Sequence, residues 1–317
     1  MTILPLEVWQ LILELCPLPT QLSLTSISRI FHKRLKVIDF YNIDVSLLSK
    51  LTDKILKQYQ YIKYLNASGI LCQISDEGIK HLQLEILNAS DNIRITDQGI
   101  KHMQLHTLLA AKNKKITDEG IKNMNLHTLD ASKNPMITDQ GIKHMNLKVL
   151  DASSNKAITD QGIINMNLDI LNTSYNDQIT DISIKKMNLT ELYTRFNDKI
   201  TNDGIKHLKL EILDASYSTN ITDVGIKNMN LHTLKAGKNC GITDEGIQHM
   251  NLKVLDASSN PNITGNGIKN MKLTSLTIAY DSGITDDGLK YLNLDTLNIT
   301  DNINITDNGL VVKPPNI

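Results

Sequence analysis

Ile116-Thr117-Asp118-Glu119-Gly120-Ile121-Lys122-Asn123-Met124-Asn125-Leu126-His127-Thr128-Leu129-Asp130-Ala131-Ser132-Lys133-Asn134 is the stretch that decides the fold. Its opening isoleucine recurs every 21 residues without a slip, at Ile74, Ile95, Ile116, Ile137, Ile158, Ile179, Ile200, Ile221, Ile242, Ile263, Ile284 and Ile305. A fixed period of this length marks a stack in which each unit buries its apolar face only against its neighbours. Leu129 and Ala131 alternate with polar residues, which predicts a short strand with one face inward. Two leucine columns, from Leu84 to Leu294 and from Leu87 to Leu297, run unbroken down the array. Parallel stacking puts successive strands ~4.8 Å apart.

The other columns read as architecture. An asparagine column (Asn92, Asn113, Asn134, Asn155, Asn176, Asn197, Asn239, Asn260, Asn302) is broken by Ser218 and Asp281. An amide both donates and accepts, so such a column can satisfy the turning backbone of adjacent repeats. The glycine column, with Ser183 its exception, implies a special backbone angle or close packing between turns. Methionines from Met103 to Met271 fill core rather than bind a cofactor. Thr117 and Asp118 suit the cap of a short helix. Asp118 and Lys122 have the spacing of an exposed helical ion pair, repeated as Asp76–Lys80, Asp97–Lys101, Asp139–Lys143 and Asp223–Lys227.

Composition narrows the function. A formal net charge of −1 over 317 residues argues against a nucleic-acid partner, which usually needs a basic face. Cys16, Cys72 and Cys240 share no close spacing, which points away from a disulfide framework or a zinc site and fits a reducing compartment. The N-terminus carries Glu7 and Glu14 and lacks a basic flank, a poor signal peptide. There is no apolar run of the ~18 residues that would suggest a membrane span.

The segment Leu126 to Asn134 resembles the leucine-rich repeat, with Ala131 where leucine is common. The first sixty residues have another texture. Pro5 stands near the start of a stripe-patterned helix through Leu15, and Thr20 suits the cap of a second helix toward Leu35. Leu4, Pro5, Glu7, Ile12, Leu15, Ser28, Arg29 and Phe31, in that order, resemble an F-box. F-boxes followed by leucine-rich repeats form a known architecture. In that family the F-box docks on the adaptor of a cullin–RING ubiquitin ligase and the repeats hold the substrate. The resemblance implies an adaptor-binding face of Leu4, Pro5, Ile12, Leu15, Pro17 and Leu24. The alternative is a helical cap that shields the open end of the stack in a binding scaffold with no ligase link. Asp44 to Tyr61 reads as a helix leading to a first strand, Ile62 to Ile70. The Ile, Asn and Lys richness and the near-identical repeats are similar in style to F-box and repeat proteins of amoebal giant viruses.

In so uniform an array the deviations carry the information. Two residues beyond each inward alanine lies a row reading Asp91, Lys112, Lys133, Ser154, Tyr175, Phe196, Tyr217, Lys238, Ser259, Tyr280, Asp301. Tyr175, Phe196 and Tyr217 occupy consecutive repeats, and Tyr193 and Arg195 replace the usual small or acidic residues beside them. Aromatics with arginine are what binding hot spots are made of, although aromatics also suit strands and stack on one another. Five histidines, His81, His102, His144, His207 and His249, share one convex column, and His106, His127 and His232 stand at strand starts. Rung neighbours could approach a metal, but no carboxylate or cysteine joins the pattern, so solvated positions are expected and no metal. No nucleophile–base set or phosphate loop stands outside the columns, so no catalytic residues and no cofactor are expected.

The expectation is therefore an α/β leucine-rich-repeat solenoid with a parallel concave sheet and a small N-terminal helical F-box-like domain. Its divisions are 1–40 F-box-like, 41–61 helical linker or cap, and 62–317 solenoid. The expected role is the substrate-recognition subunit of an SCF-type ubiquitin ligase, not itself an enzyme. It would sit in the cytoplasm (of a host cell, if viral) or the nucleus. Its partners would be the adaptor and a protein target bound at Tyr175, Tyr193, Arg195, Phe196 and Tyr217, with neither nucleic acid nor membrane.

Overall fold

The computed structural model describes residues 6–16, 18–26, 36–42, 48–290, 292–307 and 309. The chain falls into two compact units, Met1–Leu150 and Asp151–Ile317. The first opens with helices α1 (Leu6–Leu15) and α2 (Leu18–Ser26). Five strands follow within it, β1 (Asp39–Phe40), β2 (Tyr64–Asn66), β3 (Ile86–Asn88), β4 (Thr107–Leu109) and β5 (Thr128–Asp130). Each pairs in parallel with the next in chain order. Strand β6 (Val149–Asp151) spans the division. In the second unit β7 (Ile170–Asn172), β8 (Glu191–Tyr193), β9 (Ile212–Asp214), β10 (Thr233–Lys235), β11 (Val254–Asp256), β12 (Ser275–Thr277) and β13 (Thr296–Asn298) pair likewise. The register is constant: the column leucines face one another, as Leu171, Leu192 and Leu213 do. Among the described residues no helix is long and apolar enough to cross a membrane.

Strands of three residues follow from a 21-residue unit that must also turn twice and carry one helical turn. The core is the stack of columns. Leu87, Leu108, Leu129, Leu171, Leu192, Leu213 and Leu234, with the isoleucines from Ile74 to Ile284, are fully buried. Met103, Met124 and Met187 are almost fully buried, core filling as expected. Burying one such side chain contributes ~1.5–3 kcal/mol, repeated at every rung.

The turn after each strand is held by the asparagine column. Asn134 Nδ2 donates to the carbonyls of Ala110, Asn113 and Ile116 at 3.3, 2.7 and 3.1 Å, while its Oδ1 accepts from Met136 N at 3.1 Å. Asn92 and Asn113 do the same in the first unit, Asn176, Asn197 and Asn260 in the second. Asn239 does not belong to this column. It is exposed in a left-handed conformation (φ 60°), and Cys240 takes the inward place, accepting from Asn260 Nδ2 at 3.5 Å. The turn there runs one residue longer after Gly237. Cys72 is likewise buried. Burial pushes the Cys240 thiol up to about 11, and raises that of Cys72. Asp281 also points outward, and Ser282 is buried in its stead. At Ser218 the lost amide is replaced by a hydroxyl pair: Ser218 Oγ donates to Thr194 O at 2.7 Å and lies 3.0 Å from Thr194 Oγ1.

The helical side is held by aspartate, and not through the expected ion pairs with lysine. Asp97 takes both donors of Thr117 in the next repeat, backbone N on Oδ1 and hydroxyl on Oδ2, each at 2.7 Å. Thr117 Oγ1 in turn accepts from Glu119 N and caps the helix Asp118–Ile121. Asp76, Asp118 and Asp223 bind Thr96, Thr138 and Thr243 in the same way. The lysines turn instead to the carboxylate three residues back, Lys80 to Glu77, Lys122 to Glu119 and Lys206 to Asp203. These exposed pairs contribute little. The glycine column exists for close approach rather than for a backbone angle. A Cβ on Gly120 would lie 2.3 Å from Asp97 Oδ1. Ser183 is tolerated because its Oγ donates to Asp160 Oδ1 at 2.5 Å.

The stack begins upstream of Ile62. Phe40 is fully buried and pairs with Leu65, and Asp53 takes both donors of Ser75. Of the helix expected over Asp44 to Tyr61, the described residues show helical backbone at Leu48 and in the single turn Asp53–Leu56, interrupted from Ser49 to Thr52, where a degenerate repeat opens. Leu171→Ala removes a fully buried member of the column and should cost ~2–5 kcal/mol in urea unfolding. A variant that unfolds like the wild type would show that the column is not core.

Candidate protein-binding site

Along β8 and the two residues after it the inward residues are Leu192 and Thr194, both fully buried, and the outward ones Glu191, Tyr193 and Arg195. Tyr193 lies between Asn172 and Asp214 of the neighbouring strands, and its hydroxyl donates to Glu191 Oε2 at 2.8 Å. Burial, then that bond and the Glu191 charge, push the Tyr193 phenol up to about 12.

Just past the strand ends the chain turns left-handed in one residue per rung. Tyr175, Phe196 and Tyr217 have φ of 59°, 58° and 61°. That conformation costs a non-glycine residue ~1 kcal/mol and is uncommon for a bulky one. It aims all three rings along one line. Tyr175 and Phe196 stack with centroids 4.7 Å apart, and Phe196 and Tyr217 at 4.1 Å. The Arg195 guanidinium lies 4.9 Å from the Tyr217 centroid and 5.6 Å from that of Phe196. Stacking contributes about 0.5–1.5 kcal/mol per pair, comparable to the backbone cost. Tyr175 and Phe196 nevertheless remain 48% and 41% exposed. The cluster thus holds rigid, half-exposed rings and a pre-positioned cation, with rotamer freedom already spent before any partner arrives.

Of the five residues named from the sequence, Tyr175, Arg195, Phe196 and Tyr217 therefore meet across three consecutive rungs of the second unit, and Tyr193 lies on the strand of the middle rung, bonded to Glu191. Lys238 is not part of this left-handed row, since Asn239 holds that conformation in its rung. Three neighbours of these residues were missed. Glu191 anchors Tyr193, and Thr173 and Thr194 replace the inward alanine in the rungs of Tyr175 and Phe196, while the Tyr217 rung keeps Ala215. Asn197 Nδ2 donates to Thr173 Oγ1 at 3.3 Å. The alanine-to-threonine change at these two rungs was a visible signal. Of the adaptor-face residues, Ile12 is half-buried on α1 beside the fully buried Leu13. Leu15 and Leu24 lie on α1 and α2, with their side chains outside the described residues, as are Leu4, Pro5 and Pro17 altogether. His106 and His127 stack ring on ring at 4.7 Å. Among the described residues no cluster of three metal-binding side chains forms.

The sequence matches the family model for the Leucine Rich repeat over residues 122–145 and 143–166. The fold is a leucine-rich-repeat solenoid. A chain of the yeast Rad7 and Elc1 complex is similar, with a TM-score of 0.56 and 15% identity over 91% of this chain and 94% of that one. A chain of the TLR13–ssRNA13 complex has a TM-score of 0.46 and 18% identity over 79% and 50% of the two chains. None of the curated proteins matches the sequence.

The raised Tyr193 pKa gives a signed prediction. The folded value lies above the ~10 of a free phenol, so its contribution to stability is whole below pH 10 and is lost as pH rises from about 10 to about 12. The absorbance titration of the wild type minus that of Tyr193→Phe should show a midpoint near 12. A difference curve centred at 10 would contradict the Glu191 anchor.

Proposed function

We propose that the chain is the substrate-recognition subunit of an SCF-type cullin–RING ubiquitin ligase. The N-terminal segment would tether the adaptor, the repeats would hold a target protein, and another subunit would perform the chemistry. Rate enhancement would come from proximity. The chain itself would not be an enzyme.

The observation that carries the recognition half is the Tyr175–Phe196–Tyr217 stack with Arg195 across it, held half-exposed by left-handed backbone. Rigid aromatics and arginine are the residues on which protein interfaces concentrate their binding energy. The tethering half is supported by the order Leu4, Pro5, Glu7, Ile12, Leu15, Ser28, Arg29, Phe31 and by the helices α1 and α2 in that segment. The similar yeast structure is itself a complex, of Rad7 with Elc1.

One observation favours the cap as a second reading. Gln10 on α1 bonds both backbone groups of Lys36, donating to its O at 3.0 Å and accepting from its N at 2.8 Å, so α1 is fastened to the chain entering β1. Co-precipitation separates the two. Leu4→Ala/Pro5→Ala should lose the S-phase-kinase-associated adaptor and keep captured targets. Arg195→Ala/Phe196→Ala should keep the adaptor and lose targets, with the melting temperature lowered by only a few degrees, the cost of two stacks. Absence of the adaptor from wild-type precipitates would overturn the ligase reading and leave the scaffold, and adaptor binding that survives Leu4→Ala/Pro5→Ala would take the tether away from this segment. Unchanged targets with a sharply lower melting temperature would make the aromatic stack mere packing.

A further inference from the structure

The left-handed row has a second character in the first unit. There it reads Asp91, Lys112 and Lys133, with φ of 58°, 58° and 55°. The turn that follows adds Arg94 in the first of these rungs and Lys114 and Lys115 in the second. Arg94, Lys112, Lys114, Lys115 and Lys133 are all exposed. Against these cations the strip carries the carboxylate of Asp91 alone.

Several lysines elsewhere lie against carboxylates: Lys80 with Glu77, Lys122 with Glu119, Lys63 with Glu85, Lys156 with Asp177 and Lys206 with Asp203. Among the described residues the strip's cations have no carboxylate within ion-pair distance. Consecutive rungs ~4.8 Å apart place the positive charges well within one Debye length, so their fields add.

We propose that this strip is a docking surface for an acidic segment of a partner protein. Charge complementarity identifies the occupant: five cations on a chain of net charge −1 form a local field of the opposite sign to the whole. Ile93 and Met136 stand in the same turns, 58% and 46% exposed, and give apolar footing between the cations. That mixture suits a peptide bearing both carboxylates and aliphatic side chains. It suits a nucleic acid less, because the left-handed positions of these rungs hold no aromatic ring on which a base could stack. The surface stands independently of the ligase reading, since it involves neither the N-terminal helices nor the aromatic stack.

The test uses the full chain and a fluorescein-labelled twelve-residue peptide of Asp, Glu and Leu, with a single-stranded RNA of equal length as the competing class. Fluorescence anisotropy should show peptide binding that weakens steadily with added NaCl. Lys112→Glu/Lys133→Glu should weaken it at least about tenfold. Lys206→Glu, on the helical side of another repeat, should leave it unchanged. If the double reversal lowers the melting temperature, Lys114→Gln/Lys115→Gln serves in its place, with a smaller loss expected. No peptide binding by the wild type, equal binding by both strip variants, or tighter binding of the RNA than of the peptide would overturn the proposal.

Discussion

Each repeat must turn its backbone inside the protein, away from water, and the buried asparagine amide is what makes that turn affordable. A strand of three residues closes few ladder bonds, and the segment after it has polar groups with no regular partner. An unpaired buried amide or carbonyl costs ~1–3 kcal/mol. Asn113 and Asn134 answer this by donating to carbonyls of the preceding rung while accepting from the turn's own amides. The bond is at once within a rung and between rungs, so a repeat cannot form its turn without its neighbour. That coupling makes a chain of weak units one structure. Aspartate and threonine repeat the device on the helical side, and glycine leaves room for it.

The same coupling explains where variation is permitted. Inward positions change only in kind: cysteine or serine replaces asparagine at Cys240, Ser218 and Ser282, and serine replaces glycine at Ser183, where its hydroxyl turns a clash into a bond. The residue just before the asparagine is free to vary, because it points out of the left-handed turn. Aspartate, lysine, serine, tyrosine and phenylalanine all occur there. The fold therefore writes its surface in one row, basic in the first unit and aromatic in part of the second.

Much of this was legible in the sequence, since a period of 21 residues and two leucine columns leave one class of fold. The five aromatic-site residues were legible as departures from that period. What was not legible depended on side-chain direction. Asp118 and Lys122 have the spacing of a helical pair, yet a carboxylate offered two donors by Thr138 prefers them to a solvated ammonium. Asn239 kept its column in sequence, but one extra residue in the turn after Gly237 moved the inward place to Cys240. The left-handed row was hidden because its aromatics obscure the Asp, Asn and Ser preference that usually marks such a position.

The most direct test of this account is the urea unfolding of Asn134→Ala beside that of Asn134→Cys, which copies the residue found inward at Cys240. If the amide column couples the rungs, alanine leaves several buried groups unpaired and should cost ~3 kcal/mol or more, with cysteine costing less. An alanine variant within about 0.5 kcal/mol of wild type, the range of ordinary surface changes, would show that the turns are held by something other than asparagine.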